Sequence, residues 1–266
     1  MAINGVLEKN GYSLVCHIIE DGQTIDTDII RDIAADNIGA LIWSKSMEMN
    51  DMEKPDFLKN AMRNLSIPVI TMEKYGFDCP GVDILFDYEK GGYMATRHLI
   101  ECGHRRIGCV AGKQSFHVTM QRLNGYKKAL EESGISYDPD LVYFGDYTME
   151  SGYEAFSYIL GQKVTAIFSM NDEMAFGIYR AARLYGVSIP EDISIIGFDN
   201  VPFADVMQVP LTTIGVPVIE MGKKLGEKVV DLIDNKEKLK EREEILYTPR
   251  LLVRGSTKSI PPVTVI

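Results

Sequence analysis

The chain has 266 residues, room for about two domains, and 45% of them are hydrophobic, which excludes a disordered chain. Its 28 Lys+Arg against 38 Asp+Glu give a formal charge of −10, which argues against the chain as a whole being a nucleic-acid binder, because neutralising phosphates needs a basic face. It holds no apolar run of about 18 residues to span a membrane, and no basic start followed by an apolar stretch to act as a signal peptide.

Short apolar runs alternate with stretches of helical length along the whole chain. Ser13–Ile19 reads as a buried strand, and Thr24–Asp36 as a helix with Ile25, Ile29, Ile30 and Ile33 on one face. Ala40–Trp43 is the next strand, Pro55–Leu65 a helix with proline in its first turn, and Pro68–Thr71 and Val82–Phe86 two strands. Tyr88–Cys102 is a helix stopped at Gly103, and Arg106–Ala111 a strand. The same rhythm then resumes. Helices are predicted over Thr119–Ser133, Glu150–Leu160, Glu173–Tyr185 and Val218–Ile233. Strands are predicted over Leu141–Phe144, Ala166–Ser169, Ile193–Phe198, Thr212–Val216, Glu244–Tyr247 and Leu251–Arg254. Strands separated by helices imply crossover connections and parallel sheets, and about ten strands fit two sheets better than one. The fold class is therefore α/β with two doubly wound parallel-sheet subdomains. The charge run Lys236–Glu244 reads as a solvated helix end or loop, with a partner site as the alternative.

Several chemistries are missing from the sequence. There is no G-x-G-x-x-G, no phosphate-loop motif, no G-x-S-x-G elbow and no H-E-x-x-H. Cys16, Cys79, Cys102 and Cys109 form neither a C-x-x-C pair nor a zinc spacing. They read as free thiols in a reducing compartment, with one disulfide or a reactive thiol as the alternative. His17, His98, His104 and His117 do not cluster with a nucleophile. No metal, cofactor or catalytic residue is expected.

Open α/β sheets bind ligands at the carboxyl ends of their strands. Polar residues fall at four such places: Arg122 in the helix after Ala111–Gly112, Tyr147 after 141–144, Asn171 and Asp172 after AIFSM, and Asp199 and Asn200 after ISIIGF. A guanidinium fork, an amide, a carboxylate and an aromatic ring suit a polyhydroxylated ligand. Each also has a plainer reading. Asn171 or Asp172 caps a helix, Arg122 pairs with an acid across the sheet, Tyr147 packs, Asp199 forms a turn, and Trp43 belongs to the core.

Six stretches, in order, then carry a resemblance: DYEKGGYMATRHLIECGHRRIG (87–108), RLNGYKKAL (122–130), TAIFSMNDEMAFG (165–177), VSIPEDISIIGFDN (187–200), PLTTI (210–214) and PRLLVRGST (249–257). The chain resembles the effector-binding core of the LacI/GalR family of bacterial transcriptional regulators. The resemblance implies a periplasmic-binding-protein-like (type I) fold. Its N-terminal subdomain would take residues 1–113 plus 217–240, and its C-terminal one 114–216 plus 241–266. The chain would cross between them near 112–116, 214–218 and 239–246, and a small, sugar-like effector would sit in the intervening cleft. Arg122, Asn171, Asp199 and Tyr147 match the family's effector contacts, and Asp87 matches a position on the N-terminal side of the cleft.

The resemblance also implies a cytoplasmic homodimer without membrane contact, built partly on the 88–102 helix through Tyr93, Met94 and Leu99, with core packing of these residues as the alternative. Operator DNA would be read only through an N-terminal helix-turn-helix domain that the sequence in hand lacks. A first strand and most of a first helix are likewise expected ahead of Asn4–Gly11. A sugar-binding receptor of a transporter and an enzyme on a doubly wound fold are the competing functions. The first needs export, the second a nucleophile–base pair that the sequence does not offer.

Overall fold

The computed structural model describes residues 2–17, 38–44, 56–74, 79–235 and 242–261. The chain forms two compact units, one of Met1–Phe86 with Pro217–Tyr247, the other of Asp87–Val216 with Thr248–Ile266.

In the first unit, helix α1 (Ala2–Lys9) is followed by strand β1 (Leu41–Trp43), helix α2 (Asp56–Arg63) and strands β2 (Val69–Thr71) and β3 (Gly81–Phe86). The sheet runs β1-β2-β3-β9 and is parallel throughout, with β9 (Arg242–Tyr247) paired to β3 from Gly81↔Arg242 to Phe86↔Tyr247. Trp43 is buried against Met62, Val69 and Cys79, so it is core. Helix α7 (Val218–Asp234) lies against α1, with Gly222 and Gly226 opposite Ala2, Ile3 and Val6.

The second unit holds α3 (Tyr88–Glu101), β4 (Ile107–Ala111), α4 (His117–Glu132), β5 (Val142–Phe144), α5 (Met149–Gly161), β6 (Ala166–Ser169), α6 (Asp172–Leu184), β7 (Ser194–Asp199), β8 (Thr212–Gly215) and β10 (Arg250–Leu252). Its sheet has the order β10-β8-β7-β6-β4-β5, parallel except where β10 meets β8. Strands β4, β6 and β8 are buried at every residue, which is why β4 (IGCVA) and the first three residues of β6 (AIF) read as apolar runs without alternation. Helices α3 and α4 approach closely because a side chain at Gly125 would meet the Glu89 carbonyl at 2.0 Å and one at Gly92 the Arg122 carbonyl at 2.1 Å.

Three expectations change, and one falls outside the described residues. Residues Ser13–His17 are not a strand: they are exposed and pair with no strand among the described residues, because an apolar run becomes a strand only where a ladder partner exists. The Thr24–Asp36 helix lies outside the described residues. The domain boundaries differ as well. Residues 87–113 belong to the second unit because β4 bonds to β5 and β6, and residues 242–247 belong to the first because β9 bonds to β3. The chain thus passes between units at 86–87, 216–217 and 247–248. Finally, Leu99 is fully buried and Gly92 is used against α4, so the 88–102 helix spends these residues on its own core.

The C-terminal segment is tied down by His104, which is buried and bonds through Nδ1 to Thr165 Oγ1 (2.9 Å) and through Nε2 to Ser194 Oγ (3.0 Å) and the Lys258 carbonyl (3.2 Å). Burial holds its pKa below the ordinary 6.5. A folded-state pKa below the unfolded one means that its stabilisation is complete above pH 6.5 and is lost as the pH falls. The stability advantage of wild type over His104→Gln is therefore expected to shrink between about pH 7.5 and about pH 5.5, measured by urea unfolding; a constant difference would contradict it.

Candidate functional site

The parallel strands of the second unit all end on one side, and the side chains expected from the sequence gather there. Arg122 projects from the second turn of α4 and is only 6% exposed. Its Nη1 donates to the Met170 carbonyl just past β6, and its Nη2 lies 3.4 Å from Asp199 Oδ1 at the end of β7. The guanidinium sits 3.9 Å from the Phe198 ring centre, 5.0 Å from that of Tyr88 and 5.8 Å from that of Tyr147. A cation held among three ring faces is stabilised without being neutralised. Its buried Nε has no hydrogen-bond partner among the described residues. A buried, unpartnered donor costs about 1–3 kcal/mol.

Tyr147 occupies a left-handed backbone conformation, φ 73°, which is unusual for an aromatic residue. Three contacts hold it there. Its hydroxyl bonds to Thr119 Oγ1 at 2.7 Å, its ring stacks on Phe116 with centres 6.3 Å apart, and its carbonyl accepts from Asn171 Nδ2 at 2.9 Å. A side chain at position 112 would lie 2.0 Å from the Tyr147 ring, so only glycine fits beside it. Burial raises the Tyr147 hydroxyl pKa above its ordinary value.

Asn171 is the N-cap of α6, its Oδ1 accepting from the Met174 amide at 2.9 Å. Capping and the Tyr147 bond use one lone pair and one N–H of the amide, leaving one of each. Asp199 closes β7 with φ 112° and is followed by Asn200 with φ 59°. Burial raises the Asp199 pKa, and the Arg122 charge opposes that rise. Asp87 accepts from the Lys90 amide as the N-cap of α3, and the adjacent Tyr88 completes the aromatic set around Arg122.

Arg122, Tyr147, Asn171 and Asp199 are thus brought together on this unit. Phe198, Tyr88, Phe116 and Thr119 were not expected. Phe198 reads as core because it ends an apolar run. The available signal was Gly91 in the first turn of a helix: a side chain there would come within 2.6 Å of the Phe198 ring. Among the described residues no group of three or more His, Cys, Asp or Glu side chains is placed to hold a metal, and no helix is long and apolar enough to cross a membrane.

Two units with parallel sheets, one carrying a polar and aromatic set at its strand ends, define a periplasmic-binding-protein-like fold. The profile of the periplasmic binding protein-like domain matches residues 96–257. The chain is 33% identical over 264 residues to the HTH-type transcriptional repressor PurR of Photobacterium profundum, covering 97% of this chain and 77% of that protein. It is similar in structure to a LacI family transcriptional regulator from Enterococcus faecium with bound ribose (TM-score 0.81, 26% identity, 98% of this chain and 92% of that one). It is also similar to the transcriptional regulator CelR in complex with cellobiose (TM-score 0.80, 29% identity, 96% of this chain and 76% of that one). The chain belongs to the LacI family of transcriptional regulators and is an effector-binding core of that family. These relatives are transcriptional regulators, not enzymes.

Proposed function

We propose that the chain senses a small polyhydroxylated effector, a sugar or sugar derivative, and that Arg122, Asn171, Asp199 and Tyr147 hold it. The observation that carries the reading is the buried Arg122 guanidinium with its unpartnered Nε, faced by the Asp199 carboxylate and surrounded by aromatic rings. Vicinal hydroxyls answer both charges at once: one oxygen accepts from Arg122, and its neighbour donates to Asp199. A sugar's C–H face stacks on Tyr147, and the remaining valences of Asn171 read a further hydroxyl. The bound ribose and cellobiose of two structural relatives support the same class.

The protein acts by binding and not by catalysis, in the cytoplasm and as a homodimer, and its effector state sets operator affinity through an N-terminal DNA-binding segment. The transcriptional-repressor relatives, about a quarter of whose length lies outside the match, support this part. Asp87 supports the site through Tyr88. A thermal-shift screen of pentoses, hexoses and disaccharides tests the reading. A ligand at 100 times its Kd adds about 2.7 kcal/mol of stability, so at least one sugar is expected to raise the midpoint by several degrees. Silence across the whole screen would overturn it.

A further inference from the structure

We propose that Asp172 is a positioning residue of this site: it fastens the strained corner that turns Asp199 toward Arg122. The inference rests on the reading of that site as effector-binding. Asp172 is the first residue of α6 and is completely buried, although the capping of that helix is already done by Asn171. Its carboxylate points instead to the end of the neighbouring strands. Oδ1 accepts from Thr213 Oγ1 at 2.6 Å and Oδ2 from the Val201 amide at 2.9 Å. One side chain thereby joins α6, β8 and the segment that follows β7.

Room for it is made by Gly197, where any side chain would come within 2.2 Å of Asp172 Oδ1. The corner it grips contains two consecutive non-glycine residues with positive φ, 112° at Asp199 and 59° at Asn200. L residues hold such conformations only where their surroundings over-determine them. The Val216 amide, bonded to the Asp199 carbonyl at 3.3 Å, secures the corner's near side, and Asp172 secures its far side. The Asp199 carboxylate reaches Arg122 from this corner at 3.4 Å. A carboxylate can accept both donors, one on each oxygen, whereas an asparagine amide replaces one acceptor by a donor. Burial raises the Asp172 pKa to about 6, the mark of a charge placed where solvation is poor.

The test uses the full chain and reads the site with and without sugar. In Asp172→Asn the Val201 amide is expected to exchange with solvent at least about tenfold faster, the Arg122 Nε–H resonance to shift, and affinity for D-ribose to fall about tenfold. Glycine adopts positive φ freely, so adding Asn200→Gly to that variant is expected to return the Arg122 resonance and the ribose affinity toward wild type. A residue that merely kept the core together would gain nothing from glycine at position 200. Thr213→Val, which removes one donor to Asp172, gives the same changes in smaller measure and serves if Asp172→Asn does not fold. An unmoved Arg122 resonance in the single variants, or no recovery in the double variant, would overturn the proposal. A wild-type chain silent to D-ribose would count against that effector alone, because the exchange and resonance measurements need no ligand.

Discussion

Replacement of Arg122 by methionine is expected to weaken effector binding by about 1.5–3 kcal/mol, roughly 10- to 150-fold in Kd, the range for a hydrogen bond to a charged group. Methionine keeps most of the side-chain volume among Phe198, Tyr88 and Tyr147, so loss of the donor dominates over loss of packing. Two further consequences follow from the same contacts. The Met170 carbonyl loses its donor, and Asp199, already above the ordinary carboxylate pKa through burial, loses the charge that restrains it. Its titration therefore moves to higher pH in the variant, and binding becomes more sensitive to mild acidification. Calorimetric titration across pH checks both effects. An unchanged affinity would remove Arg122 from the site.

The largest effect on stability is expected in the first unit, at Arg242. The Asp83 carboxylate is buried inside the parallel sheet, and Arg242 meets it with two bonds, Nη2 to Oδ1 at 2.6 Å and Nε to Oδ2 at 2.9 Å, while Thr71 Oγ1 donates to Oδ1. Nη1 of Arg242 also donates to the Val69 and Cys79 carbonyls at 3.2 and 3.3 Å. Removing one partner of a buried pair leaves an uncompensated charge, at a cost of about 3–5 kcal/mol. Arg242→Met is thus expected to lower the melting midpoint by on the order of 10 °C. Pairing it with Asp83→Asn should recover much of that loss, because the orphaned charge is then gone. A loss below about 1 kcal/mol in the single variant would show that the pair is solvated.

Arg242 marks a limit of the sequence. It belongs to a charge run that reads as solvated, yet its side chain is only 13% exposed, because β9 places its first residue opposite Gly81, from where the side chain reaches Asp83. Nothing local to the run records that neighbour. The allocation of β4 fails for the same reason: a strand's own residues do not say which sheet it joins, and β4 takes β5 and β6 as partners, not β3. Ser13–His17 is apolar enough for a strand but has no partner among the described residues. By contrast, Arg122, Tyr147, Asn171 and Asp199 were legible, because each follows a strong apolar strand and strand ends gather polar groups in an open α/β sheet. Their aromatic surroundings were not. Phe198 and Tyr88 reach Arg122 through packing between α3, α4 and β7, which becomes visible only once Gly91 is seen to make space for the Phe198 ring.

Under the proposed function, a hydroxyl oxygen of the effector is expected to take up the unpartnered Arg122 Nε. The most direct test is a crystal structure of the chain with the sugar that most raises its melting midpoint. A sugar oxygen is expected within hydrogen-bond distance of Arg122 Nε, a neighbouring hydroxyl on Asp199, and the ring against Tyr147. A bound sugar that leaves Arg122 Nε without contact, or that sits away from Asp199 and Tyr147, would contradict it.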